Sequence, residues 1–134
     1  MPLRSIWYRV YSDYLVSSRM DDYRGLLKGF IEHGYETHSI ISFWRLVTNG
    51  EDVTRGKHLI LRHDVDVDPG AAEEMWRIEQ ELGAKSSFYF RLSTLDLRLM
   101  RRIEESGSEA SYHYEELATL IKNRCLKRQE EVYE

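Results

Sequence analysis

The sequence lacks most of the features that would assign it to a specialised class of protein. It has one cysteine, Cys125, so it cannot form an internal disulfide, and a reducing compartment is compatible. No apolar run approaches the roughly 20 residues of a membrane span. Arg4 and Arg9 interrupt the N-terminal segment, which therefore has no signal-peptide core. The formal net charge of −4 provides no basic surface for nucleic acid. Together these absences predict a cytoplasmic protein without a membrane span or a nucleic-acid partner.

The composition is that of an ordinary globular protein. The chain has 134 residues, of which 42% are hydrophobic and 31% are charged. This length predicts one domain with a real core, although it is short for a closed (β/α) barrel. No internal repeat, low-complexity segment or linker is present. We therefore expect a single domain over residues 1–134, with an N-terminal extension helix within residues 1–19.

The most informative segment is 57–69, with the sequence KHLILRHDVDVDP. Its apolar first half predicts a buried strand, which ends in acids spaced two residues apart. Because side chains alternate along a strand, Asp64 and Asp66 should project on the same side at its carboxyl end. In parallel α/β folds, that end of a strand carries the chemistry. Two carboxylates this close require a cation or a shared proton, which favours a metal and acid/base site.

Helices and strands are predicted to alternate along the rest of the chain. Apolar spacing and capping residues predict helices over 6–16, from Asp21 or Asp22 to Gly34, from Ser42 to Val47, over 71–82 and over 95–105. Strands are predicted over 35–41, in the central segment, over 86–91 and over 109–113, and the chain from residue 115 onward is predicted to be helical. Asp68 and Pro69 should cap and open the helix after the central strand. This order predicts an α/β fold with a parallel sheet.

Three segments of the sequence carry a family resemblance. LRHDVDVDP at 61–69 is followed by ELGAKSSFYFR at 81–91, and GSEASYHYE stands at 107–115. Together they resemble the polysaccharide deacetylases of the NodB-homology type, carbohydrate esterase family four, in the branch with an RHDVD motif. The resemblance covers residues 20–134. It implies a fold that is about half of a distorted (β/α) barrel of seven to eight strands.

The resemblance also implies an activity and a set of site residues. Asp64 matches the catalytic base, and Asp66 and His113 match metal ligands. The metal would be zinc, or else cobalt or another transition metal, and the substrate a carbohydrate carrying N-acetyl or O-acetyl groups. In such a hydrolase the metal polarises the acyl carbonyl and lowers the pKa of a bound water, while Asp64 removes the proton of that water.

The sequence departs from the family pattern near its C-terminal end. Leu117 stands where the family has its second metal-binding histidine, and Glu115 or Glu116 is the candidate replacement because zinc accepts carboxylates. The later strands of the family, with their carbonyl-stabilising and general-acid histidines, have no counterpart. The domain is therefore expected to be truncated, either as the N-terminal portion of a longer enzyme or as a shortened relative.

Other interpretations of the acidic segment remain open. The acids could serve only as caps and turn formers. A phosphatase of the haloacid dehalogenase type would use Asp64 as its nucleophile, and a non-catalytic domain could act as a binding or assembly module. A calcium loop is excluded, because Pro69 and Met75 occupy the places of its required glycine and glutamate.

The remaining expectations concern the surroundings of the site and the surface. Arg62 shares the face of Asp64 and should pair with it, whereas His63 faces the other way and should support the site by packing or by orienting a ligand. The other histidines, His33, His38 and His58, are assigned to the surface or to helix ends, and the tryptophans, Trp7, Trp44 and Trp76, to the core. Half a barrel leaves sheet edges open, which predicts a homodimer or another association through an open edge.

Overall fold

The computed structural model describes residues 19–114, together with Ile121 and Arg124. The helices in this part of the chain are α1 (Met20–Glu32), α2 (Ile40–Thr48), α3 (Pro69–Glu81) and α4 (Leu97–Glu105). The strands are β1 (Glu36–His38), β2 (His58–Ile60), β3 (Arg62–Val65), β4 (Ser87–Phe90) and β5 (Glu109–Tyr112), with a 3₁₀ turn at Leu92–Thr94. The N-terminal helix predicted over residues 6–16 lies outside the described residues, as do Glu115, Glu116, Leu117 and Cys125.

All the described strands pair in parallel, which confirms the predicted α/β class. They form one two-stranded sheet, β1-β2, and one three-stranded sheet, β3-β4-β5. A helix connects the two paired strands of each parallel pair, whereas β2 and β3 follow one another directly and belong to different sheets. A closed barrel is not part of the described structure, so the barrel remains a prediction from the resemblance.

The central segment forms two strands rather than the single buried strand that its apolar pattern predicts. The break is at Leu61, whose N–H donates to the carbonyl of His38 at 3.0 Å and whose carbonyl accepts from the N–H of Ser87 at 2.9 Å. The backbone of Leu61 therefore forms hydrogen bonds with β1 on one side and with the start of β4 on the other. Ile60, in the apolar half of this segment, is 45% exposed.

The three-stranded sheet has one polar and one largely apolar face. Its register places Arg62, Ser87 and Glu109 side by side, and then Asp64, Tyr89 and Ser111. We call the face that these six residues share the polar face. On the opposite face Val65, Phe88, Phe90 and Ala110 form the core with Ala72 and Trp76 of α3 and with Leu99 and Ile103 of α4.

Two of the three tryptophan assignments fall on described residues. Trp76 is buried in the core, as predicted, and its indole N–H donates to Ser106 Oγ at 3.1 Å. The core assignment of Trp44 is wrong, because this residue is 63% exposed on α2. Trp7 lies outside the described residues.

The helix boundaries follow local capping chemistry, with two corrections. Asp68 caps α3, accepting from the N–H of Gly70 at 2.8 Å, and Pro69 is the first helical residue. However, α2 is capped by Ser39 rather than Ser42, since Ser39 Oγ accepts from the Ser42 N–H at 3.1 Å. The proposed cap of α1 is also wrong: the helix starts at Met20, and Asp21 and Asp22 lie in its first turn.

A buried carboxylate, Glu79, joins elements on the side of β3 opposite the polar face. Its Oε1 accepts from the Tyr23 hydroxyl at 2.5 Å and lies 2.6 Å from His63 Nε2, and its Oε2 accepts from Ser86 Oγ at 2.5 Å. Burial, followed by the nearby Glu79 charge, raises the pKa of Tyr23, so its hydroxyl stays a donor. Glu79 therefore links α1, β3, α3 and the start of β4, which holds the strand that carries Asp64.

Candidate active site

The candidate site lies where the parallel strands of the β3-β4-β5 sheet end. Asp64 is near the end of β3 and Asp66 follows it, while Arg91 follows β4 and His113 follows β5. Parallel strands bring their carboxyl ends to one edge, so residues distant in sequence meet there. The His113 N–H donates to the Phe90 carbonyl at 2.8 Å, which fixes the backbone of His113 at this edge.

His113 stands between the two aspartates. Its Nε2 is 3.8 Å from Asp64 Oδ2, and its Nδ1 is 3.8 Å from Asp66 Oδ1. The structure thus brings together the three residues that the sequence analysis assigned to catalysis and metal binding. Each aspartate faces a different nitrogen of the ring.

Arginines neutralise both carboxylates. Arg62 donates to both oxygens of Asp64, through Nε at 2.9 Å and Nη2 at 3.2 Å, and its guanidinium lies 4.8 Å from the centre of the Tyr89 ring. Arg91 Nε lies 2.7 Å from Asp66 Oδ1. A two-point contact between a guanidinium and a carboxylate fixes orientation as well as charge. Each aspartate of the candidate site is therefore paired with an arginine.

Two side chains at this edge of the sheet, Asp66 and His113, are of the types that bind zinc. Asp66 Oδ1 and His113 Nδ1 are 3.8 Å apart, a gap that two zinc–ligand bonds of about 2 Å each can span. Oxygen and imidazole nitrogen are both donors that zinc accepts. Catalytic zinc sites usually have three protein ligands, and the candidates for the third, Glu115 and Glu116, lie outside the described residues. Of such a set, the described residues at this edge offer the donor atoms of Asp66 and His113.

A second cluster was missed by the sequence analysis. Glu36, His38 and His58 lie close enough together to hold a metal ion. His38 is buried, and its Nε2 is 2.9 Å from His58 Nδ1, so the assignment of these two histidines to the surface or to helix ends is wrong. Burial lowers the pKa of His38, with Glu36 opposing this shift and His58 reinforcing it. A neutral imidazole is the form that binds metals. His33, by contrast, is exposed at the end of α1, as predicted.

The polar face contains further groups beside the candidate site. Glu109 accepts from the Tyr89 hydroxyl at 3.1 Å and from Ser87 Oγ at 2.6 Å. Burial, then the charge of Glu109, raises the pKa of Tyr89, so the phenol stays protonated. The alternation of side chains along the predicted strands could have identified Tyr89, Arg91 and Glu109 as residues on the same face of the sheet as Asp64. It could not show that Arg91 would pair with Asp66.

His63 has the orientation that alternation predicts. Its ring faces Glu79 and packs on Phe88 with the ring centres 4.6 Å apart. It lies on the core side of β3, immediately before Asp64. His63 therefore anchors the strand through Glu79, while the adjacent Asp64 faces the candidate site.

A search of the described helices found none that is long and apolar enough to cross a membrane. Comparisons with protein-family models, with curated proteins and with solved structures found no match to this chain.

Proposed function

We propose that this protein is a metal-dependent hydrolase of the polysaccharide deacetylase type, which removes N-acetyl or O-acetyl groups from a carbohydrate. The observation that carries the proposal is the position of His113, within 3.8 Å of both Asp64 and Asp66 at the carboxyl edge of a parallel sheet. The motifs at 61–69 and 107–115 are distant in the sequence, and their key residues nevertheless meet at this edge.

In the proposed mechanism, each residue has a distinct task. Asp66 and His113 would hold a divalent metal of the zinc class, and the metal when bound would polarise the acyl carbonyl and acidify water. Asp64 accepts a proton from the attacking water. Arg62 keeps the Asp64 carboxylate oriented by its two-point contact. Arg91 holds Asp66 against the end of β3.

One observation favours a non-catalytic alternative. Because Arg62 and Arg91 already neutralise the two aspartates, the same residues are compatible with a binding or assembly module in which these pairs are structural. The contact of Arg62 with both Asp64 oxygens does not separate the phosphatase alternative from the deacetylase, because a nucleophile and a general base both use a carboxylate oxygen.

Acetate release tests the proposal directly. We expect the full chain to release acetate from N-acetylated or O-acetylated sugar oligomers when zinc or cobalt is added, and to stop when a chelator removes the metal. Asp66→Asn should abolish the metal-dependent release of acetate, because it replaces a charged ligand with an amide. Asp96→Asn is the matched control, since Asp96 caps α4 and asparagine caps equally well. Phosphate release from a simple phosphomonoester without acetate release would favour the phosphatase. Neither activity, combined with a stable oligomer, would favour the binding module.

We further propose that the chain self-associates as a homodimer. Ile41, Trp44 and Val47 are exposed at helical spacing on α2, and Ile60 is exposed on β2. Apolar surface of this kind gains roughly 25 cal/mol for each Å² removed from water. A two-fold dimer is the simplest arrangement that covers it.

Sedimentation velocity over a wide range of concentrations should show a monomer–dimer equilibrium. Trp44→Gln should shift this equilibrium towards the monomer. Leu97→Gln, at an exposed residue on a different helix, is the matched control and should leave it unchanged. A monomer at every concentration would refute the dimer without bearing on the deacetylase proposal.

A further inference from the structure

We propose that Glu36, His38 and His58 form a second metal site, distinct from the Asp64–Asp66–His113 edge. The site would bind a transition-metal ion of the zinc class and clamp β1 to β2. It does not depend on the proposed hydrolase activity.

The backbone places the three ligands on one face. Glu36 and His38 are two residues apart on β1, so their side chains project on the same side. The parallel register pairs Glu36 with His58, whose side chain therefore points to that side as well. Two short strands thus provide three donors in one place without any unusual backbone conformation.

The distances are close to those of a formed site. His38 Nε2 is 2.9 Å from His58 Nδ1 and 3.9 Å from Glu36 Oε2. Ligand atoms about 2.05 Å from a tetrahedral zinc ion are about 3.3 Å apart. Binding would therefore require the two rings to separate slightly and the exposed Glu36 carboxylate to move closer, which are side-chain adjustments only.

The surroundings hold the two rings in place. The Phe43 ring lies 5.6 Å from the centre of each imidazole, and His38 is buried. Gly56 packs against the far side of His58, where an added Cβ would lie 2.5 Å from Nε2. Nδ1 of His58 is therefore the nitrogen that faces the cluster.

The donor set indicates the class of metal. Two imidazoles and one carboxylate form the His₂Glu combination found in zinc sites, with a fourth position for water. Magnesium and calcium prefer sets made of oxygen ligands. Without metal, the two nitrogens share one hydrogen bond, in which one ring donates and the other accepts. This hydrogen bond is the competing explanation for the short contact.

The site and the candidate active site lie at opposite ends of the same stretch of chain. His58 begins β2 and Asp64 is near the end of β3, so the two residues can be at most roughly 20 Å apart along the chain at about 3.3 Å per extended residue. The role that follows from this position is structural. A metal at the cluster would fasten β1 to β2, whose pairing in the described structure consists of three residue pairs.

The test uses the untagged full chain in an Asp66→Asn, His113→Gln background, which removes the other proposed ligands. Zinc titration by calorimetry should give one ion per chain, and cobalt should give the visible absorption of a tetrahedral site. Zinc at a hundredfold excess over its Kd should raise the melting temperature by about 10 °C, because the metal binds only the native state.

Variants of the cluster decide the outcome. Glu36→Gln and His58→Gln should each weaken zinc binding by at least about tenfold, since even the loss of a residue that only supports a ligand costs this much. Glu36 is exposed, so Glu36→Gln remains informative if His58→Gln fails to fold. His33→Gln, at an exposed histidine outside the cluster, is the control and should bind normally. Absence of binding in the background chain, or binding that Glu36→Gln leaves unchanged, would refute the site.

Discussion

Replacing Asp64 by asparagine is expected to lower kcat/KM for acetate release by a factor of about 10²–10⁴, the usual contribution of a positioned general base. Asparagine has the same shape but cannot accept the proton of the attacking water. The Asp64 carboxylate is bound by Arg62 at 2.9 and 3.2 Å and faces His113 at 3.8 Å. The substitution therefore removes the base while leaving the side chain's volume unchanged.

Asp68→Asn is the matched control for this experiment. Asp68 belongs to the same acidic segment, but it caps α3, and asparagine is an equally good helix cap. The Asp68→Asn variant should therefore be as active as the unmodified chain. If Asp64→Asn retained full activity, Asp64 would not be the base, and a role in the ion pair with Arg62 would account for it.

Replacing Glu79 by alanine is expected to reduce the free energy of unfolding by about 3 kcal/mol, because a buried polar group that loses its hydrogen-bond partner costs about 1–3 kcal/mol and Glu79 bonds three side chains. Glu79 is fully buried and holds Tyr23, His63 and Ser86. Its loss would leave buried Ser86 and half-buried Tyr23 and His63 without this partner. Domains have a net stability of only about 5–15 kcal/mol, so this is a large fraction of the total.

Urea denaturation followed by circular dichroism measures this effect. Glu81→Ala on the same helix is the control, because Glu81 forms an exposed ion pair with Arg24. Such pairs contribute about 0–1 kcal/mol to stability. The urea concentration at the midpoint of unfolding should therefore be nearly the same for Glu81→Ala as for the unmodified chain. Equal losses in the two variants would mean that the Glu79 contacts contribute no more than a surface pair.

The candidate site was predicted in part, because its members lie at the ends of predicted strands. Alternation placed Arg62 with Asp64 and His63 on the opposite face, and the described contacts have this arrangement. The parallel order predicted a shared edge for Asp64 and His113, which are 3.8 Å apart there. The chemical roles of these residues remain predictions.

The second cluster could not be predicted, because it depends on strand register. Glu36 and His38 alternate correctly on a predicted strand, but nothing local shows that His58 begins the neighbouring strand opposite Glu36. The same limit applies to Glu79. The sequence predicts that Glu79 lies in a helix. Its burial, however, depends on partners from three other segments of the chain.

Residues adjacent in the sequence were enough to predict several helix ends, although the caps of α1 and α2 were predicted wrongly. Asp68 with Pro69 starts α3, and Gly34, Gly83 and Gly107 adopt positive φ where α1, α3 and α4 end, because caps and glycine conformations depend on adjacent residues. Only the tertiary structure decided the break at Leu61, the exposure of Ile60 and Trp44, and the pairing of Arg91 with Asp66. These features depend on which segments pack together, and that is set by contacts between residues distant in the chain.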